Sequence, residues 1–182
     1  MQKFATLAVL ALCLLAVNTQ AAENPLKNAK VGDWVEYVQA VNANGKPMEI
    51  TMKQSVTAKD DASVTMKMEM SVGGRAIPGQ EFKIDLTKEY NPLSPRSGVA
   101  KPEIIEQGDE ALSIGGKEYK CHWMSVKSSV DGQGGQASKF EGKVWVCPDV
   151  PLGGMVKMEG KVESSKGPMD FKKELSGSGR GQ

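Results

Sequence analysis

The chain carries one histidine, three cysteines and ten methionines, and these are the side chains whose chemistry must be weighed first. His122 stands alone. A single imidazole does not build the multi-histidine sites usual for zinc or copper, and a Ser-His-Asp triad would have to use it. No Gly-x-Ser-x-Gly elbow is present to hold such a serine. With Cys121 and Val146 as expected neighbours, His122 reads as packing on a sheet. No glycine loop of the phosphate-cradling kind precedes a helix, and nothing selects two of the 22 acidic residues as an acid–base pair. The chain reads as non-catalytic, with no metal and no cofactor.

Methionine is the unusual component. Met66, Met68 and Met70 alternate with Lys67 and Glu69 inside a longer period-two run from Val64 to Val72, the pattern of a strand with one apolar face. Three chemistries fit that face. Thioethers fill irregular interiors because they are flexible and polarizable. Soft sulfur ligands can also hold Cu(I). A methionine-lined sheet can thirdly be an adaptable surface for a lipid or another apolar ligand.

The cysteines give the sharpest structural expectation. Lys117–Val126 and Lys139–Cys147 read as strands around the glycine-rich Asp131–Gly135. A hairpin turning about Gly134 sets Cys121 opposite Cys147 and Trp123 opposite Trp145 on one side. The other side then pairs His122 with Val146, Met124 with Val144, and Ser128 with Phe140. Facing Cβ atoms lie about 4.5–5.5 Å apart, close enough for a disulfide after modest adjustment. A Cys121–Cys147 bond would stabilise the fold by roughly 3–4 kcal/mol. Both sides of this hairpin are apolar, which calls for a strongly curved sheet with a cap. Trp123 and Trp145 join Met66, Met68 and Met70 as candidate ligand contacts.

Redox state follows from the N-terminus. Lys3, the apolar run Phe4–Val17, and the small-residue stretch to Ala22 form a secretory signal over residues 1–21. Fourteen residues span about 21 Å as a helix, short of a bilayer core of roughly 30 Å. Cys13 is preceded by Leu12, where lipid attachment would want a small residue, so Cys13 leaves with the signal. The rest of the chain has two cysteines for an oxidising compartment. Removing Lys3 balances 22 basic against 22 acidic residues. That neutrality argues against a nucleic-acid partner and against electrostatic attachment to anionic lipid. No second apolar run is long enough to make a transmembrane segment.

The elements that must position these residues are strands. Asn44-Gly45, between Asp33–Val41 and a strand marked by Ile50, Met52 and Val56, is a hairpin signal. Gly73-Gly74 and Gly115-Gly116 sit in similar contexts and read as one turn solution used twice. Tyr90–Glu110 is expected to begin as a proline-rich loop, with a helical turn or two over Pro102–Gln107. The fold class is mainly β: a single curved antiparallel sheet or half-barrel with little helix over 22–175, followed by a disordered Gly/Ser tail, 176–182.

The stretches Gly116–Trp123 and Val144–Glu159, the latter holding Cys147-Pro148-Asp149-Val150-Pro151-Leu152-Gly153-Gly154, resemble uncharacterised exported bacterial proteins of the planctomycete type. Architecture alone is also remotely similar to the LolA/LolB-like lipoprotein carriers, which hold lipid-modified proteins in a half-barrel closed by helices. The first family brings no assigned activity and implies a bacterial envelope address; the methionine- and tryptophan-rich interior together with the carrier resemblance points to a secreted, non-catalytic protein of the periplasm or envelope that binds an apolar small molecule or lipid. A ligand-free structural or interaction module and a methionine-based copper site stand as the alternatives.

Overall fold

The computed structural model describes residues 24–43, 45–90, 102–131, 137–164 and 167–181. The expected signal, the prolines at 92 and 95, and the glycine-rich turn at 132–135 lie outside these residues. A single 3-10 turn, Pro25–Asn28, precedes nine strands: β1 Trp34–Ala43, β2 Lys46–Lys59, β3 Ser63–Val72, β4 Arg75–Asp85, β5 Glu103–Ile114, β6 Lys117–Asp131, β7 Ala137–Val146, β8 Met155–Ser164 and β9 Gly167–Gly179. They form one antiparallel sheet in the order β4-β3-β2-β1-β9-β8-β7-β6-β5, with β4 and β5 as unjoined edges. Among the described residues no helix is long and apolar enough to cross a membrane.

Turn chemistry sets the hairpins. Val72 faces Arg75 across Gly73 (φ 54°) and Gly74 (φ 79°), and Ile114 faces Lys117 across Gly115 (φ 58°) and Gly116 (φ 79°). Two left-handed residues in a row match the twist of the flanking strands, and glycine adopts them without a Cβ penalty. The same solution is indeed used twice. The Cys121–Cys147 hairpin keeps the expected register, with Trp123 opposite Trp145, Met124 opposite Val144 and Ser128 opposite Phe140.

Two segments differ from expectation. Residues 103–107, expected as helix, begin β5. Strand β6 offers a free ladder of backbone donors and acceptors there, which outweighs a short helix with no apolar face. Residues 176–179, expected as tail, end β9, where Ser178 pairs with Val35 and Gly179 with Trp34. The glycines are there for packing: a Cβ at Gly177 or Gly179 would run into the Trp34 indole.

A single-layer sheet buries an apolar face only by curling around it. Val35, Val64, Val144 and Val156, from four different strands, are fully buried in one cluster. The register ties these inner positions together, since directly opposed residues point to the same face. The backbones approach closely where Gly142 faces Gly160. A Cβ at Gly142 would come within 2.6 Å of the Phe140 ring. Phe140 in turn meets Phe171 at a ring separation of 5.3 Å. One end of the curl is sealed by Leu26, Leu86, Val150 and Leu152, all buried. Tyr90 lies against Gly153 (φ 92°), where any side chain would strike the phenol.

Asp33 ties the two ends of the described chain at this sealed end. It is fully buried, accepting hydrogen bonds from the Lys30 N–H at 3.0 Å and the Gly181 N–H at 2.8 Å. Replacing it leaves both donors without an acceptor. Asp33→Ala is expected to lower unfolding free energy by about 2–4 kcal/mol, measured by urea titration; a loss under 0.5 kcal/mol would show that water replaces the carboxylate.

Candidate functional site

The inner face changes character along the strands. At the sealed end Val56, Val64 and Met66 are core. Towards the hairpin turns Met52, Met68, Met70, Met158 and Met169 are half-buried. At the rim Met48 is 42 % and Ile77 39 % exposed. Register places these on one face: Met52 is opposite Met70 and Tyr37, Gln54 opposite Met68, Val56 opposite Met66, and Met158 opposite Lys173. The inner face thus passes from fully buried at one end to partly exposed and methionine-rich at the other, with Gln39, Gln54 and Lys173 among its polar members; read as a binding surface, it is a cup. The pattern on β3 alone flagged Met66, Met68 and Met70. Met52, Met158 and Met169 reach the same face from strands whose alternation is interrupted by polar residues, and only the pairing reveals them.

Sequence reasoning missed Lys173 altogether. It occupies an inner position on β9, 7 % exposed, in the series Met169, Phe171, Lys173, Leu175. Its ammonium sits 4.2 Å from the centre of the Tyr37 ring and 3.9 Å from the Met52 sulfur, a cation–π and sulfur contact with no carboxylate among the described residues at ion-pair distance. Burial pushes the Lys173 ammonium down to about 8. The Tyr37 hydroxyl is spent on the Met155 carbonyl at 3.1 Å. Burial raises its pKa, as does the neighbouring Tyr90, whose own phenol burial pushes up to about 12.

The structure divides the five candidate ligand residues. Following the ladder from Trp145 through Lys157, Glu174, Val38 and Thr51 to Ser71 puts both tryptophans on the outer face, opposite the methionines. There they need no second layer. The Lys143 ammonium lies 3.9 Å over Trp123 and 4.7 Å over Trp145, and Lys157 lies 4.6 Å over Trp145. Lysine stems cover the rings while their charges stay in water. The Trp145 indole N–H donates to Glu110, which also pairs with Lys143. These two contacts hold the Glu110 carboxyl below its ordinary value.

Cys121 and Cys147 are both buried, and each is a free thiol here. Continuing the ladder one step past His122–Val146 sets them face to face, and Cys147 is a hydrogen-bond neighbour of the Cys121 sulfur. Burial pushes the Cys121 thiol up to about 11, with Cys147 and Glu110 adding to it. His122 Nδ1 lies 2.9 Å from Asp109 Oδ1 on the exposed edge. A cleft of about 420 Å³ at this edge is lined by Asp109, Glu110, Lys120, Cys121, His122 and Pro148. It brings a His–Asp pair near a thiol, yet a nucleophilic cysteine needs a lowered pKa, and this one is raised.

No family model matches the chain, and no curated protein sequence does. The fold is similar to the crystal structure of a protein from Bacteroides fragilis described as exported, with a YmcC-like fold. That likeness covers 84 % of this chain and 97 % of the other at a TM-score of 0.54 and 10 % identity. A DUF1329-family protein from Desulfovibrio piger aligns over 88 % of this chain and 90 % of its own at a TM-score of only 0.28 and 9 % identity, and nothing is drawn from it. The first likeness is one of fold.

The buried lysine makes stability depend on pH in a definite direction. Between about 8 and its ordinary 10.5, Lys173 holds its proton in the unfolded chain and has lost it in the folded one. Stability therefore rises as pH climbs through that window. Lys173→Met should abolish the rise and be more stable than wild type at neutral pH by about 3 kcal/mol. Urea unfolding of both proteins on either side of the window measures this. An unchanged slope in the variant would remove Lys173 as its source.

Proposed function

We propose that this is an exported, non-catalytic protein of the bacterial envelope that holds an apolar ligand, a lipid or acyl chain, inside its curled sheet. The observation that carries the reading is the gradient on the inner face. An apolar surface continuous with the core opens progressively to solvent at the rim, with Met48 and Ile77 exposed. A face meant only as core would be closed at both ends. Methionine suits the role because its unbranched thioether repacks around ligands of varied shape. The fold shared with a protein described as exported supports the address, as does the signal at residues 1–21. The non-catalytic reading is supported by the pairing of Cys121 with Cys147, which would leave no thiol beside the His122–Asp109 pair. It also rests on the chain having no second histidine to complete a metal or acid–base site.

Two faces give a clean test. In the mature chain, Met68→Glu at the half-open inner face should weaken binding of a neutral acyl probe at least tenfold. Trp123→Ala on the outer face should leave it within a factor of two. Fluorescence titration with an uncharged naphthylamine probe measures both; the reverse ranking would move the ligand to the tryptophan face. Lipid extraction and native mass spectrometry of protein from the native compartment should show a retained amphiphile.

In that compartment Cys121 and Cys147 join, clamping β6 to the end of β7. Protein taken from it should resist alkylation when unfolded without reductant, and reduction should cost roughly 3–4 kcal/mol of stability. Two alkylated thiols in the unreduced protein would show that the pair stays open.

A further inference from the structure

We infer that the ligand is a fatty-acid-like amphiphile whose carboxylate pairs with Lys173 while its chain runs along the methionine face to the rim. This rests on the apolar-cup reading above and names the chemistry of the ligand's polar end. Lys173 is a cation on the inner face with no carboxylate at ion-pair distance among the described residues. Across the ladder it faces Gln39 on β1 and Met158 on β8, its neighbours on β9 are Phe171 and Leu175, and Met52 of β2 touches its ammonium. Among the described residues Tyr37 and Tyr90 are the titratable groups packed beside it, and burial keeps both neutral; the His122–Asp109 pair shares the inner face but lies at its β5–β6 edge. A leucine or methionine at 173 would fill the same volume without the cost of burying an ammonium. The charge is therefore a liability to the empty fold that a bound anion relieves.

Geometry selects the class of anion. The lysine lies where the inner face passes from buried to half-open, four residues from Met169 along β9, or about 13 Å at strand rise. That is close to the extended length of a dodecyl chain. A carboxylate seated at Lys173 thus brings the methyl end of such a chain to the rim. One ammonium balances one negative charge. A phosphomonoester dianion would leave a second charge uncompensated in a site with little water. Gln39, directly opposite, sets an amide donor on the same face for the second carboxylate oxygen.

The experiment compares dodecanoate with dodecan-1-ol, each displacing an uncharged naphthylamine probe from the mature chain at neutral pH. Wild type should bind the acid at least tenfold more tightly than the alcohol. Lys173→Met should still bind the alcohol and lose the preference, and Lys173→Gln serves as a second variant should the first fail to fold. In wild type the preference should fade as pH passes about 8, where the ammonium gives up its proton. Equal binding of acid and alcohol by wild type, or a preference surviving in the variants, overturns the carboxylate assignment and leaves the cup standing. Dodecyl phosphate binding more tightly than dodecanoate overturns it in favour of a phosphate ligand. Binding of neither acid nor alcohol overturns the cup and this inference together.

Discussion

A nine-stranded sheet with one apolar face and no second layer among its described residues can bury that face only against itself. The other features follow from that constraint. Tight curvature needs backbone approach, which Gly142 and Gly160 permit and the Phe140 ring then covers. A curled sheet has two open ends, and the molecule treats them differently. The Pro25–Asn28 turn, the loop between β7 and β8, and Tyr90 seal one end; at the other the described residues include the Gly73-Gly74 hairpin turn and no comparable cover. The sealed end supplies the stability of a dry core. The other end leaves methionines short of full burial.

The two faces solve one problem by different chemistry. Outside, Trp34, Trp123 and Trp145 are large apolar rings lying under lysine stems, with Gly108 beneath Trp123 and Gly177 and Gly179 beneath Trp34 to make room for those indoles. Inside, methionines line the half-buried part of the face, and among the described residues the buried cation meets a ring and a sulfur. An indole packed this way is satisfied and rigid. A methionine face with an unneutralised ammonium at its base is neither.

Much of this was legible in the sequence wherever the determinant was local. The Gly73-Gly74 and Gly115-Gly116 turns announced themselves because left-handed pairs demand glycine. The register of β6 on β7 followed from the spacing of Cys121, Trp123, Trp145 and Cys147. Failures came where the segment's structure is decided by a partner outside it. Residues 103–107 look helical until β6 offers its edge, and residues 176–179 look disordered until Trp34, more than a hundred residues earlier, is found lying on them. The candidate site failed in the same way. Five residues were grouped because they are apolar and strand-forming, yet which face each occupies depends on a ladder of pairings across six strands. Lys173 left a mark that was passed over, a charge at an apolar beat of the Met169–Leu175 alternation.

Strand order holds one more consequence. Strands β1 and β9 are neighbours at the middle of the sheet, so the seam between them joins residues 34–43 to residues 167–179. Every other pairing is a hairpin with its neighbour in sequence. Two meanders, β1–β4 and β5–β9, can thus form from local contacts, while the ladder that unites them closes the longest loop in the molecule and is slow on topological grounds. For a polypeptide threaded outward from its N-terminus, the last strand to emerge is the one that finishes the middle of the sheet. Until then the first meander keeps a bare edge at β1 and has no complete interior. Were the chain delivered in that order, its sheet would stay in two unjoined halves until β9 followed.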